Sequence, residues 1–190
     1  MTEFAPLPDK RYEIIYIDCP WNYAGQRQHT KGGKDSGGAD AHYSTVTTKD
    51  LKSFDIPSIT AKNCLLFMWV TSPHLEQGLA LMKAWGFKYA TIAFVWYKKK
   101  TNPGSYTLSE CEICLVGKHG TIPKPRGSRR ERQFLAETRT VHSRKPTEIR
   151  KRIQRMFPTQ QKIEVFARER VPGWDAYGND LDAATTPDWP

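Results

Sequence analysis

Cysteine is scarce in this chain, and long apolar runs and a surplus of acidic charge are missing. Four cysteines in 190 residues, Cys19, Cys64, Cys111 and Cys114, are too few and too unevenly placed for a disulfide framework, and they read as reduced thiols. No apolar stretch approaches the roughly 18 residues that a membrane-spanning helix needs, so a soluble protein with no membrane partner is expected. The opening Met1-Thr2-Glu3-Phe4-Ala5-Pro6-Leu7-Pro8 lacks the basic start and apolar core of a secretory signal, and a cytoplasmic setting is expected. Internal repeats and low-complexity domains are also missing.

What is present is enough for a core: 38% hydrophobic and 12% aromatic residues in a length suited to one domain. The expected division is a single domain over 1–179 with a mobile Gly-rich loop at 24–41, basic loops at 98–109 and 117–131, and a loosely ordered tail at 180–190. The net charge is +9, and it is concentrated: residues 98–155 hold 16 Lys and Arg against 5 Glu, a local excess of +11. A positive excess confined to one third of a chain suits a polyanion, because phosphate neutralisation with counterion release is the general source of nucleic-acid affinity. A plainly solvated basic surface is the alternative. Assembly as a homodimer is left open.

Tyr12-Glu13-Ile14-Ile15-Tyr16-Ile17 is a β-branched and aromatic run that stops at Asp18-Cys19-Pro20, which predicts a buried strand with Asp18 at its carboxyl end. Leu65 to Val70 predicts a second. Ser72 as N-cap and Pro73 as first helical residue would open a helix with Leu75, Leu79 and Met82 at helical spacing, ended by Gly86. Further strands are expected at 91–96, 112–116, 162–167 and, more weakly, 132–136. Pro146 opens a helix with Ile149, Ile153, Met156 and Phe157 on one face and Arg150, Lys151, Arg152 and Arg155 on the other, closed by Pro158. Alternating strands and helices predict an α/β sheet covered on both faces, with ligands at the strands' carboxyl ends.

Asp18-Cys19-Pro20-Trp21 sets a carboxylate, two backbone carbonyls and a large aromatic face within four residues at such a strand end. That combination suits a flat base bearing an amine. The N6 amine of adenine is a poor nucleophile because its lone pair is delocalised into the ring. Hydrogen bonds accepted from both N–H groups, by the Asp18 carboxylate and the Cys19 carbonyl, return electron density to nitrogen and aim the lone pair at a sulfonium methyl. Trp21 would stack on the extruded base. Pro20 holds the turn and restricts Cys19 to extended angles.

The tetrapeptide resembles the Asp-Pro-Pro-Trp signature of the N6-adenine methyltransferases that include the messenger-RNA adenosine methyltransferases and their bacterial and phage relatives. The resemblance continues through His42-Tyr43-Ser44-Thr45-Val46-Thr47, Leu66-Phe67-Met68-Trp69-Val70-Thr71, Trp85-Gly86-Phe87 and Glu112-Ile113-Cys114-Leu115-Val116-Gly117. It then runs through His142-Ser143-Arg144-Lys145-Pro146, Glu164-Val165-Phe166-Ala167-Arg168 and Gly173-Trp174-Asp175-Ala176-Tyr177-Gly178-Asn179, in the family's order from about Tyr12 to Asn179. It implies a Rossmann-like methyltransferase sheet with helices on both faces and the catalytic motif N-terminal to the cofactor strand. It also implies S-adenosylmethionine as cofactor, with Lys145 meeting its carboxylate and Asp18, Glu164, Phe166, Arg168, Asn179 and Asp180 around the rest. Cys19 departs from the signature's first proline; the carbonyl acceptor survives, the turn loses a rigid residue, and the family's chemistry needs no thiol nucleophile there.

Other features carry two readings each. Cys111-x-x-Cys114 could suggest zinc, but lacks a second ligand pair and sits in a strand that would point the two side chains to opposite faces, so a structural role and no metal are expected. The Gly-rich loop lacks the Lys-Ser/Thr ending of a phosphate cradle and reads as a lid. Tyr23 and Tyr43 flank it, either near the target nucleoside or as packing aromatics; His42 and His142 are left as scaffold. Lys98, Lys99 and Lys100, and Lys124, Arg126, Arg129, Arg130 and Arg132, are expected in loops that follow a phosphate backbone. The function expected is N6-adenine methylation of DNA, with the same chemistry on RNA and a catalytically silent nucleic-acid-binding partner subunit as the alternatives.

Overall fold

A computed structural model of the chain describes residues 5–21, 47–102, 106–139, 144–179 and 181. Among them seven strands form one sheet: β1 (Tyr12–Asp18), β2 (Thr60–Val70), β3 (Lys88–Asn102), β4 (Ser109–His119), β5 (Phe134–Ala136), β6 (Lys162–Val165) and β7 (Asp175–Tyr177). Their spatial order is β5-β3-β4-β2-β1-β6-β7. Every neighbouring pair is parallel except the two made by β4, which runs against both β2 and β3. Among the described residues three α-helices accompany the sheet: α1 (Thr48–Ser53), α2 (Leu75–Ala84) and α3 (Thr147–Met156). This is the expected Rossmann-like α/β arrangement, with β2 at the centre of the sheet and the early strand β1 beside it.

The period-two alternation of the strands divides the core in two. Ile15 and Ile17 of β1, Leu66, Met68 and Val70 of β2, and Ile163 and Val165 of β6 face Leu51 of α1 and Leu81 and Met82 of α2. Ile14 and Tyr16, Leu65, Phe67 and Trp69, with Phe94 and Trp96 of β3, face Ile149, Ile153 and Phe157 at α3. Strands buried on both faces read as unbroken apolar runs, which is why β1 and β2 are legible in the sequence.

The helices differ from expectation in which side chains they bury. Leu75 and Leu79 of α2 are 38% and 36% exposed, and the buried face is Gly78, Leu81 and Met82. Gly78 sets this rotation: a Cβ placed there would come within 2.5 Å of Val70 Cγ1, so the helix lies against β2 where only glycine fits. A short 3-10 turn, Ser72–His74, precedes α2, and Thr71 rather than Ser72 is its cap. The end of α2 is as expected: Gly86, at φ +78°, donates to Lys83 O while Phe87 donates to Met82 O, the double bond of a Schellman cap. In α3, Pro146 is the N-cap and Arg150 is buried rather than solvated. Arg152 donates to the carbonyls of Arg132 and Phe134 at 2.6 and 3.1 Å, covering the outer edge of β5. Arg155 pairs with Glu131 and Glu148.

The long strands also overturn two expected loops. β3 runs on through Lys98, Lys99 and Lys100, and β4 continues to His119, so the expected basic loops at 98–109 and 117–131 are shorter than the charge pattern suggested. Helix α1 and strand β7 were not anticipated. The Gly-rich segment 24–41 and the tail beyond residue 181 lie outside the described residues. No described helix is long and apolar enough to cross a membrane.

Because Val70 is held on a stiff β-branched rotamer, Gly78→Ala is expected to destabilise the fold by about 1–3 kcal/mol. Urea denaturation checks this, and an unchanged midpoint would mean that α2 does not depend on that close approach.

Candidate active site

The parallel strands place Asp18, Val70, Val165 and Tyr177 at one edge of the sheet, and the reversed β4 brings its first residues to the same edge. Glu112 therefore lies opposite Trp96 of β3, as Asp18 lies opposite Trp69 of β2. Lys145, just before α3, joins them: its Nζ is 2.7 Å from Asp18 Oδ2 and 3.3 Å from Glu112 Oε2, and it stands over the Trp69 ring. Lys98 Nζ lies 3.5 Å from Glu112 Oε1. Beneath them Trp69 Nε1 donates to the Tyr16 hydroxyl at 2.6 Å. All these side chains project from the α3 face of the sheet.

Burial dominates the titration of this cluster. It raises the Asp18 carboxyl above its ordinary value, and Lys145 opposes this without cancelling it. Burial pushes Glu112 the same way, but Lys145 and Lys98 together outweigh it and hold that carboxyl low. Burial favours a neutral Lys145, yet the two carboxylates outweigh it and keep the ammonium charged. Glu112, with two cations, is thus the firmly ionised acid, and Asp18, with one at contact, is the carboxyl nearer protonation. Burial raises the Cys19 thiol well above its usual range, the opposite of what a thiolate nucleophile requires.

The Asp18-Cys19-Pro20-Trp21 turn closes through Trp21 N donating to Cys19 O at 2.8 Å. A carbonyl has two lone pairs, so Cys19 O keeps one. The Trp21 side chain is 5% exposed and stacks on His74, with ring centroids 5.1 Å apart at 22°. One face of the indole is therefore occupied by the protein, and at most the other meets a base.

At the neighbouring ends of β6 and β7, Glu164, Phe166, Arg168 and Asn179 share the edge with Asp18. Phe166 leaves β6 in the left-handed region at φ 59° and packs on Phe54. Glu164 projects toward α3, where Arg150 binds its Oε2 at 2.7 Å and Glu169 Oε1 at 2.7 Å; Arg144 binds Glu169 Oε2 at 2.6 Å. The donors suit a ligand carrying a carboxylate and hydroxyls: Lys145 has three N–H groups and two carboxylate partners, and Arg150 takes Oε2 of Glu164 while Oε1 remains to accept. A cavity of about 240 Å³ lined by Trp96, Glu137, Arg144, Lys145 and Thr147 opens beside Lys145.

The structure separates the expected nucleic-acid contacts. Lys99 and Lys100 are exposed at the carboxyl edge, whereas Lys98 is 3% exposed and belongs to the charge cluster instead of a flexible loop. Arg126, Arg129 and Arg130 lie at the opposite edge, where Gly127 and Ser128 donate to Met156 O and Arg155 O at the far end of α3. The seven residues of β1 span roughly 20 Å between the two edges. Arg126 also packs over the Phe157 ring. Cys111 and Cys114 stand three residues apart on β4 and so face opposite ways; both are free thiols. Tyr23, Tyr43, His42, His142 and Asp180 lie outside the described residues.

Three residues at the site had no role in the sequence reading. Glu112 had a signal: an acid inside an otherwise apolar strand needs a cation. Arg150 had none, because helical periodicity put it beside the solvated arginines. His74 falls in the first turn of the expected helix after Ser72-Pro73, where nothing marks it as a partner of Trp21.

The profile of the MT-A70 family matches residues 12–180. The chain belongs to the MT-A70 family. It is similar to the type II methyltransferase M.MunI of Mycoplasma sp, 44% identical over 189 residues that cover 94% of this chain and 81% of that protein. It is also similar to the N(6)-adenosine-methyltransferase subunit METTL3 of Danio rerio and the corresponding catalytic subunit of Homo sapiens, 32% and 31% identical over 185 residues. Those alignments cover 90% of this chain and 28% of each METTL3. MT-A70 proteins are in general methyltransferases that depend on S-adenosylmethionine.

In this MT-A70 chain, Lys145→Met removes the cation at contact with Asp18 and one of the two on Glu112, and the Asp18 carboxyl, already raised by burial, should bind its proton more tightly still. Stability of the variant should then fall as pH rises from about 4 toward that raised value. The wild-type curve should be flatter, because Glu112, held low, contributes in the opposite sense. Urea denaturation at acidic and neutral pH checks this; parallel curves would show that Lys145 does not hold the pair.

Proposed function

We propose that this protein transfers a methyl group from S-adenosylmethionine to the N6 amine of adenine in DNA. The observation that carries the reading is the Asp18 carboxylate at the carboxyl end of β1, fixed by a buried ammonium beside the spare lone pair of the Cys19 carbonyl. Two acceptors at adjacent positions can take both hydrogens of an exocyclic amine, turning its lone pair outward for in-line attack. When bound, the cofactor supplies an electrophilic methyl group. The residues that would hold it are Lys145, through its remaining N–H, with Asp18, Glu164, Phe166, Arg168, Asn179 and Asp180.

Likeness to M.MunI over most of that protein's length supports DNA as the substrate, while the RNA enzymes share only about a quarter of theirs. The same chemistry on RNA is the second reading, supported by the METTL3 likeness. A silent partner subunit is disfavoured by the presence and placement of Asp18. Lys99 and Lys100 are the cations best placed to guide a strand to the catalytic edge; Tyr23, Tyr43, Arg126, Arg129 and Arg130 remain proposals as substrate contacts.

Incubation with labelled S-adenosylmethionine and duplex DNA, single-stranded DNA or RNA, followed by digestion to nucleosides, should yield N6-methyldeoxyadenosine. N6-methyladenosine from RNA alone would favour the second reading. Asp18→Ala should abolish transfer while the protein still unfolds cooperatively; near-normal activity in the folded variant would remove Asp18 from the mechanism. Oligonucleotide affinity should fall steeply with added salt, and salt-insensitive binding would argue against a phosphate-tracking surface.

A further inference from the structure

We propose that Tyr97 and Phe134 form a shelf that stacks an unpaired base of the substrate strand, with Lys99 and Lys100 holding its phosphates. The proposal rests on the nucleic-acid reading above and deepens it. In the parallel β3–β5 pair, Val95 lies opposite Phe134 and Tyr97 opposite Ala136. Trp96 and Leu135 pack toward α3, so strand alternation turns Tyr97 and Phe134 to the other face. Their rings are 6.4 Å apart at 20°. Phe134 is 56% exposed, and neither ring joins the core that α1 and α2 cover.

A single exposed aromatic needs no explanation, but this pair is near-parallel and rigidly mounted. Val95 N donates to Gln133 O and Glu137 N to Tyr97 O; Trp96 Nε1 donates to Glu137 O at 2.8 Å; Arg152 binds the carbonyls of Arg132, just before β5, and of Phe134 within it. Such a mount holds two stacked rings nearly parallel with Phe134 exposed, so a base can extend the stack whatever the sequence.

Charge selects the occupant. Lys99 and Lys100 are exposed on β3 just beyond Tyr97, and neither makes an ion pair with a described residue. A second copy of this chain would bring +9 against +9, whereas a nucleic-acid strand offers flat faces and phosphates together. Three strand spacings separate β1 from β3 and four separate it from β5, about 14 and 19 Å. The shelf would then take a base roughly four to six stacked steps from the target adenine.

The test is anisotropy of a fluorescein-labelled, adenine-containing single-stranded oligodeoxynucleotide against wild type, Phe134→Ala, Phe134→Trp and the double variant Lys99→Ala/Lys100→Ala. Phe134→Ala should bind about ten-fold more weakly or worse, and Phe134→Trp close to wild type. The lysine variant should lose about 1.4 from the salt slope, roughly 0.7 for each phosphate contact to a single strand. Cofactor affinity and unfolding midpoint, measured without oligonucleotide, report the fold of each variant. Wild-type binding with an unaffected Phe134→Ala overturns the shelf alone. A Phe134→Ala that changes only the sedimentation of the protein likewise overturns it, in favour of self-association. Absence of oligonucleotide binding by wild type overturns the nucleic-acid reading itself.

Discussion

Two ammonium groups and two carboxylates alternate through the buried corner where β1, β3 and β4 meet the start of α3, in the order Asp18, Lys145, Glu112, Lys98. Each carboxylate taken alone there would carry a desolvation penalty of several kcal/mol, and leaving one member without its partner commonly costs about 3–5 kcal/mol. The chain of pairs is neutral as a set, which lets four ionisable groups share one apolar corner with Trp69 and Trp96. Its asymmetry matters as much as its neutrality. Glu112 is gripped by a cation at each oxygen, and so serves as the fixed end of the chain; Asp18 is held by Lys145 at one oxygen, and under the proposed function the other is the one that meets a ligand.

Helix α3 acts as the beam that carries this corner. Its apolar face enters the core through Ile149 and Ile153, and its arginines are spent internally. Arg150 ties β6 to the segment after it through Glu164 and Glu169, Arg152 covers the carbonyls of β5, and Arg155 gathers Glu131 and Glu148. A run that appears in the sequence as one basic stripe is, in three dimensions, mostly a set of internal braces. The cations left to meet a polyanion lie on separate edges of the sheet, and those on the edge that holds Asp18 are on β3.

The parts legible in the sequence are those in which local pattern and tertiary environment demand the same residues. β1 and β2 are buried on both faces and so contain little except β-branched, aromatic and long aliphatic side chains; Gly86 ends α2 because a left-handed residue is needed there. The Asp18-Cys19-Pro20-Trp21 turn was legible because its chemistry is compressed into four residues. The faces of α2 and α3 were not, since Gly78 and Arg150 obey close approach and charge pairing rather than hydropathy. Lys98 misled for a related reason: its neighbours Lys99 and Lys100 are solvated, and only the distant Glu112, brought alongside by the β3–β4 ladder, turns it inward. β7 is three residues long, too short for periodicity to register.

The reversal of β4 has an implication for how such a domain can diversify. In a wholly parallel sheet every residue at the edge that holds Asp18 ends a strand, and whatever follows it must cross the sheet. Here the segment joining β3 to β4 turns back at that edge, and the ladders to β2 and β3 on either side of β4 set the height of Glu112. The tip between Asn102 and Ser109 can therefore lengthen, shorten or change its side chains while the register of the acid beneath it stays fixed. What the edge reaches for and what it does on arrival are, in this topology, separable properties.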